Sequence, residues 1–176
     1  DNAAARVLAR VSVLGTERFV NRMNEKAAEL GLTSTSYADP SGLLATNVSS
    51  AYDMARLISH AASDAFISGI MRMSEYTYRA SGRSRTIHNT NQLVGSPDID
   101  VVGGKTGFIS KAGYCLATLL RLPDVNETVA VVVLGAGSNA ARFWETRHLF
   151  NWLTARLPGL LAARQPERPA PTPDIH

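Results

Sequence analysis

The first third of the chain carries apolar residues at the three- and four-residue spacing that places them on one side of a helix. An alanine-rich helix is predicted over residues 3–14, and Gly15 ends it. Thr16 is expected to cap a second helix that continues to Gly31. The apolar sides of the two helices are formed by Val7, Leu8 and Val11 and by Phe19, Met23, Ala27 and Leu30.

A polar stretch rich in turn-forming residues follows over residues 33–48, and its segment Asp39-Pro40-Ser41-Gly42 predicts a tight turn. Ser50, with Asp53 three positions later, resembles a helix cap. The helix that it opens would bury Met54, Leu57, Ile58 and Ala61. Residues 74–98 are polar and are interrupted by glycine and proline, so we expect this part to be irregular.

Three strand patterns lie close together in the second half of the chain, over residues 100–108, 114–122 and 128–136. The link between the last two is short, and a short link favours antiparallel pairing. A final helix is predicted over residues 139–157, with an apolar stripe of Phe143, Phe150, Leu153 and Leu157. Helices followed by adjacent strands and a covering helix indicate an α+β fold.

Composition and length are those of one soluble globular domain. The 176 residues are 45% hydrophobic and 19% charged, and no apolar run approaches the ~20 residues of a transmembrane helix. We assign residues 1–158 to the domain and the proline-rich residues 159–176 to a flexible tail. The net charge of +3 is small and the basic residues are scattered, so nucleic-acid binding is not indicated.

The tripeptide Lys105-Thr106-Gly107 is the sharpest local signal. Side chains alternate along a strand, so Lys105 and Thr106 point to opposite faces. Gly103, Gly104 and Gly107 remove side-chain bulk where an extended peptide could pair with the strand backbone. Lys105 would supply positive potential, and Thr106 a hydroxyl for a carboxylate. The alternative to a ligand-binding strand is an exposed edge strand in which the sequence Lys-Thr-Gly occurs by chance.

Other reactive side chains are weaker candidates. The only cysteine, Cys115, lies in an apolar strand and is interpreted as a small buried residue. The histidines show no metal-ligand spacing, so no metal site and no cofactor is expected, and His148 is placed at a rim beside Trp144. The basic residues Arg79, Arg83 and Arg85, near Tyr76 and Tyr78, favour a solvated loop, with contact to an anionic polymer as the second interpretation.

Several ordered segments accompany the tripeptide. They are Asp1-Asn2-Ala3-Ala4-Ala5, Phe19–Asn24, Leu30-Gly31, Tyr37–Leu43, Ser50–Ala55, Asn89–Leu93 and Ala112–Leu116. In this order they resemble the low-molecular-mass penicillin-binding proteins, which are D-alanyl-D-alanine carboxypeptidases and endopeptidases. The residues of these segments are most similar to the endopeptidase branch. The resemblance covers roughly residues 1–155. It implies that residues 1–158 are the C-terminal portion of a peptidase catalytic domain with a penicillin-binding/β-lactamase-like transpeptidase fold.

The resemblance also implies a role for each matched site residue. Asn2 belongs to a Ser-x-Asn motif cut after its serine, and would contact the substrate amide and orient the catalytic lysine. Lys105 would provide the electrostatic environment for the substrate carboxylate, Thr106 would hydrogen-bond that carboxylate, and Gly107 would allow close approach. The backbone N–H of Phe108 would form half of an oxyanion hole.

The family's nucleophile motif, Ser-x-x-Lys, is absent from the sequence. The only lysines are Lys26, Lys105 and Lys111, and none follows a serine at that spacing. We therefore expect the N-terminal part of the fold, with its serine and lysine, to be missing, and the chain alone to be inactive. The complete site would cleave peptidoglycan stem peptides and cross-links through an acyl-enzyme, bind β-lactam antibiotics, and act outside the cytoplasmic membrane.

Two alternatives remain open at this point. A non-catalytic remnant would bind peptidoglycan peptides along the Gly103–Gly107 edge without turnover. A relative of the class A β-lactamases would need a deacylating glutamate, and Glu25, Glu29 and Glu75 do not lie in the Glu-x-x-x-Asn setting of those enzymes.

Overall fold

The structure of the protein, a computed structural model, describes residues 1–123 and 125–162. Its helices are α1 Asn2–Val11, α2 Gly15–Glu29, α3 Ala51–Ser63, α4 Ala65–Met71 and α5 Asn139–Ala162. Its strands are β1 Glu75–Ala80, β2 Arg83–His88, β3 Val101–Ile109, β4 Gly113–Arg121 and β5 Thr128–Ala136. No helix in the described part of the chain is long and apolar enough to cross a membrane.

The centre of the fold is an antiparallel sheet with the strand order β3-β4-β5. Helix α5 packs against β4 and β5, and α3 packs against all three strands. The two helices cover opposite faces, because Leu116 and Leu120 of β4 join the core with Phe143 and Phe150 of α5, whereas Leu119 pairs with the glycine that contacts α3. The predicted α+β class, the three strands and their antiparallel pairing are confirmed.

Helix α1 ends earlier than predicted, and α2 begins earlier than predicted. Helix α1 is capped by Asp1, which accepts hydrogen bonds from the amides of Ala3 and Ala4. Its apolar residues are exposed, and its one buried residue is Ala9. Thr16 does not cap α2: the N-cap is Leu14, without a side-chain bond. The corner is made by a turn in which the Gly15 amide donates to Ser12, so the helix already starts at Gly15.

The turn at Asp39 and the cap of α3 confirm the prediction. The Asp39 carboxylate accepts from the amide and hydroxyl of Ser41, both at 2.6 Å, and from the Leu44 amide and the Asn47 side chain, both at 2.7 Å. At the start of α3, the Ser50 hydroxyl accepts from the Asp53 amide at 3.1 Å. These local bonds connect the polar stretch to the helices around it.

The prediction of an irregular segment over residues 74–98 was wrong in its first half. β1 and β2 form an antiparallel hairpin there, with Ala80 opposite Arg83. The two residues between them, Ser81 and Gly82, have φ values of +51° and +74°. Two successive positive φ angles are the backbone of the tight hairpin turns that match strand twist. Gly82 was therefore a turn signal rather than a break.

The last helix is longer than expected. The stripe of Phe143, Phe150, Leu153 and Leu157 does face the sheet, but α5 continues through Pro158 to Ala162. It therefore enters the range 159–176 that was assigned to the tail. The remaining residues of that range lie outside the described residues.

Candidate functional site

Lys105-Thr106-Gly107 lies in β3, at one edge of the sheet. Lys105 and Gly107 are exposed and Thr106 is buried, as alternation along a strand requires. A register shift between Val101 and Gly103 marks a bulge just before the tripeptide. Bulges next to binding sites often re-aim the side chains that follow them.

The environment of Lys105 lowers its pKa. Although the residue is exposed by surface area, the surrounding protein removes part of the hydration of its ammonium group, and this desolvation is the main cause. Repulsion from the nearby guanidinium of Arg142 adds to the effect. The ammonium group donates a hydrogen bond to the backbone carbonyl of Thr106. Lys105 is thus a cation held close to the strand backbone.

The hydroxyl of Thr106 forms a hydrogen bond with the hydroxyl of Thr90, at 2.6 Å between the oxygens. If Thr90 is the donor, Thr106 keeps its own proton for an acceptor such as a carboxylate, since a hydroxyl has one proton and two lone pairs. Sequence reasoning did not single out Thr90. Its position between two matched asparagines, in Asn89-Thr90-Asn91, was the available signal.

Arg142 is the second residue that sequence reasoning missed. It lies in the first turn of α5, is buried, and donates to the carbonyls of Gly107 and Cys115 at 3.0 and 3.2 Å. Its burial lowers its own pKa. Arg142, Thr146 and Phe150 follow one another at four-residue spacing, so a charged residue on the buried face of the helix was the available signal.

Gly103 and Gly104 do not open the strand to a ligand, contrary to the prediction. Both are buried, and a Cβ atom at Gly103 would lie 3.0 Å from the Cβ of Ala62 in α3. At Gly104 a Cβ atom would lie 2.6 Å from the Asn91 amide nitrogen, which is buried without a hydrogen-bond partner in the described residues. These two glycines allow protein elements to pack closely. Only Gly107 is exposed, and its nearest neighbour would be Cys115 at 3.7 Å.

The other sequence candidates are distributed around this edge. Phe108 is 52% exposed and stacks on Tyr114, with ring centroids 4.3 Å apart. Asn2 is exposed at the start of α1, a helix that packs against α2 and not against β3. No hydrogen bond among the described residues joins Asn2 to the tripeptide. The role given to Asn2 stays a prediction.

The structure also locates the side chains that were weaker candidates in the sequence. Cys115 is partly buried rather than fully buried. His148 is exposed and stacks on Trp144, with ring centroids 5.2 Å apart, as predicted for a rim position. Within residues 1–123 and 125–162, no group of three His, Cys, Asp or Glu side chains could hold a metal ion. The three arginines near Tyr76 and Tyr78 lie on the β1–β2 hairpin rather than in a loop.

Comparison with known proteins shows which family this chain resembles. The sequence profile of the peptidase S11 family, described as D-alanyl-D-alanine carboxypeptidase, matches residues 1–138. The D-alanyl-D-alanine endopeptidase of Haemophilus influenzae is 34% identical over 142 residues, which are 81% of this chain and 49% of that protein. The chain spans about half the length of the curated endopeptidases that it matches.

Solved structures agree with the sequence comparison. Penicillin-binding protein 5 from Haemophilus influenzae superimposes with a TM-score of 0.78 and 30% identity, over 88% of this chain and 44% of that chain. Penicillin-Binding Protein D2 from Listeria monocytogenes, solved in its cefotaxime-bound form, gives a TM-score of 0.71 with 28% identity, over 85% and 60% of the two chains. The chain belongs to the D-alanyl-D-alanine carboxypeptidase family, peptidase S11.

Proposed function

We propose that this chain forms the substrate-binding side of a serine-type D-alanyl-D-alanine peptidase. The observation that carries the proposal is the exposed Lys105 and Gly107 on an edge strand whose flanking sequence matches the family over residues 1–138. The substrate would be a peptidoglycan stem peptide or cross-link that ends in D-alanyl-D-alanine. The site would work outside the cytoplasmic membrane, where that polymer lies.

The chemistry follows from where negative charge lies in such a substrate. Lys105 attracts the terminal carboxylate, and Thr106, with Thr90 as its hydrogen-bond partner, donates a hydrogen bond to it. Gly107, where a Cβ atom would meet only Cys115 at 3.7 Å, is the residue that lets the peptide approach the strand in this proposal. The Phe108 N–H then stabilises the oxyanion that develops at the carbonyl under attack. Asn2 contacts the substrate amide from the helix side.

The nucleophile in this proposal is a serine of a Ser-x-x-Lys motif, which the sequence given does not contain. Its hydroxyl attacks the carbonyl of the penultimate D-alanine, the terminal D-alanine or the cross-linked amine leaves, and water then hydrolyses the acyl ester. The β-lactam antibiotics would acylate the same serine. The cefotaxime-bound relative supports this part of the proposal.

A binding experiment on the chain itself tests the substrate-binding role. NMR titration with an acetylated peptide that ends in D-alanyl-D-alanine should shift the amides of β3. The substitution Lys105→Ala should weaken binding by roughly tenfold, because it removes a charge-assisted contact. Lys111→Ala is the matched control: it removes another exposed lysine, in the turn after β3, and should have little effect. Equal effects of the two substitutions would refute the proposal.

A second experiment separates a peptidase from a non-catalytic remnant. Fluorescent penicillin should not label this chain alone. It should label a protein in which the chain is joined to the segment encoded directly upstream, provided that this segment supplies Ser-x-x-Lys. Labelling of a serine within residues 1–176 would overturn the assignment of roles. Absence of labelling in the joined protein would favour the remnant. The match to the peptidase family already favours either of these over a class A β-lactamase relative.

A further inference from the structure

The hairpin β1–β2 is not part of the core. Among the described elements, its two strands contact each other and no other helix or strand. Of its twelve strand residues only Ala80 is partly buried, and the others are exposed. The hairpin therefore projects from the domain and presents both faces to its surroundings.

The strand register divides the hairpin into two different faces. On one side of the hairpin, Tyr76 lies opposite Ile87, Tyr78 lies opposite Arg85, and Ala80 lies opposite Arg83. Directly paired residues share a face, and residues two apart along a strand do so as well. We call the surface formed by the side chains of Tyr76, Tyr78, Arg83, Arg85 and Ile87 the tyrosine face.

The opposite face of the hairpin carries polar cross-strand contacts. There Thr77 and Thr86 lie opposite each other and their hydroxyls form a hydrogen bond of 2.7 Å. At the open end of the hairpin, His88 lies 3.5 Å from Glu75. A two-stranded hairpin without packing is at best marginally stable, so these contacts, together with the tight turn, hold it together. No other helix or strand of the described residues packs on the tyrosine face.

Two exposed tyrosine rings lie side by side on the tyrosine face. The rings of Tyr76 and Tyr78 lie 6.4 Å apart with an interplanar angle of 14°, and their residues are 55% and 38% exposed. Ile87, 54% exposed, extends the apolar area. Apolar and aromatic side chains that a protein keeps exposed together mark an interaction surface.

The same face is positively charged and lacks acidic groups. Arg83 and Arg85 have no carboxylate within 4 Å in the described residues, and the only acid of the hairpin, Glu75, belongs to the opposite face. An unpaired guanidinium binds carboxylates with two parallel hydrogen bonds. The face therefore suits a partner that carries carboxylates and flat rings with apolar surfaces.

The base of the hairpin is fixed to the site strand. Asn89, which follows β2, donates from its backbone to Ser74 at 2.7 Å and from its side chain to the carbonyls of Met71 and Met73 at 3.0 and 2.9 Å. The next residue, Thr90, is bonded to Thr106 of the tripeptide. Strands of six residues are about 20 Å long. A polymer with one segment at the tripeptide can therefore reach the hairpin.

We propose that the tyrosine face binds the glycan strand of peptidoglycan while a stem peptide occupies the tripeptide edge. Sugar rings lie on Tyr76 and Tyr78, and Arg83 and Arg85 bind carboxylates of neighbouring stem peptides. This inference rests on the proposed function. A single-stranded nucleic acid is the competing partner for a basic aromatic surface, but the net charge of only +3 disfavours it.

Co-sedimentation of the chain with purified peptidoglycan free of other anionic polymers tests the proposal. Arg85→Gln should reduce the bound fraction about fivefold, as expected for a central interface arginine. Arg79→Gln is the matched control, since it removes the same charge from the opposite face of the same hairpin and should change binding less than twofold. Tyr78→Ser should act like Arg85→Gln. If these variants disturb the hairpin, Arg85→Lys and Arg79→Lys give the same comparison.

The outcomes separate this proposal from the one on which it rests. Arg85→Gln should leave the shifts that a sugar-free stem peptide induces in the amides of β3 unchanged, whereas Lys105→Ala should reduce them. Equal losses of polymer binding for Arg79→Gln and Arg85→Gln would overturn the tyrosine face as the site, because they would indicate unspecific attraction. Displacement of the chain from peptidoglycan by an equimolar single-stranded oligonucleotide would overturn the choice of partner.

Discussion

At the scale of single residues, Asp39 shows how strongly local bonds can act on one group. Burial alone would raise the pKa of its carboxyl, but hydrogen bonds from Ser41, Leu44 and Asn47 together hold that pKa well below its usual range. The ionised carboxylate is therefore what keeps the turn closed. The folded state prefers a charge that the unfolded chain gives up near pH 4.

This preference predicts a specific dependence of stability on pH. Because the pKa of Asp39 is lower in the folded state, its contribution is present above the unfolded value and is lost as the pH falls below about 4. Asp39→Ala should lower the free energy of unfolding at pH 7 by roughly 3 kcal/mol and flatten its decline in acid. Urea unfolding between pH 2.5 and pH 7 measures both.

Glu29 provides the control for this measurement. Its pKa is also lowered, to about 2, by hydrogen bonds from Arg22 and Lys26, but the side chain is exposed. Exposed ion pairs contribute little to stability, so Glu29→Gln should change the acid profile far less than Asp39→Ala. A larger effect at Glu29 would contradict the account given for Asp39.

Two glycines of β3, Gly104 and Gly107, should differ sharply in how much stability is lost when each is replaced by alanine. Gly104→Ala would bring a Cβ atom to 2.6 Å from the Asn91 amide nitrogen and 3.0 Å from the Thr118 hydroxyl. Such overpacking costs about 1–3 kcal/mol of folding free energy. Gly107→Ala meets only Cys115, at 3.7 Å, and should leave the melting temperature nearly unchanged while weakening ligand binding. Thermal unfolding of the two variants makes the comparison.

At the scale of elements, Arg142 joins the beginning of α5 to the backbone of β3 and β4. Its removal should act on both stability and electrostatics. Arg142→Met should lower the free energy of unfolding by about 2 kcal/mol, because two partly buried carbonyls lose their donor. It should also raise the pKa of Lys105, because one of the two causes that lower that pKa is repulsion from Arg142. NMR titration of the lysine side chain measures the second effect.

The two effects of Arg142 can be separated by a second substitution. Arg142→Lys keeps the positive charge, but its shorter side chain moves the donor away from Gly107 and Cys115 and loses the bond that the second guanidinium nitrogen donates to Asn139. It should therefore destabilise the fold while the pKa of Lys105 stays low. A raised pKa in this variant would show that the strand has moved rather than that the charge has gone.

Sequence patterns predicted the elements whose apolar residues have one clear periodicity. The strands β3, β4 and β5 and the stripe of α5 belong to this class. The β1–β2 hairpin does not, because both of its faces are exposed and no burial pattern exists to be recognised. The Ser81-Gly82 turn could have indicated it. Thr90 and Arg142 were missed for a different reason, since their importance depends on contacts between elements distant in sequence.

At the scale of the whole molecule, both outer strands of the central sheet lack a strand partner within residues 1–123 and 125–162. Unpaired edges invite pairing with other chains. We therefore expect the isolated chain to self-associate at micromolar concentration. Light scattering over a dilution series would measure this, and a monomer that persists at high concentration would contradict it.

The family could be predicted from the sequence, because an ordered set of short segments specifies a family more strongly than any one motif. The position of Lys105-Thr106-Gly107 in a strand could be predicted as well. The packing role of Gly103 and Gly104 could not. A glycine that admits a ligand and a glycine that admits a neighbouring helix look the same in a sequence. Only the position of α3 and of Asn91 distinguishes them.

The open edge at β5 has a practical consequence. A sheet can be completed by a strand from a second polypeptide as well as by one from its own chain. Strand pairing at this edge would then change the amide signals of β5, and the change would rise with the concentration of the second polypeptide and saturate at one equivalent. A peptide that occupies the β5 edge would block such pairing without touching Lys105-Thr106-Gly107, which lies on β3 at the other edge of the sheet.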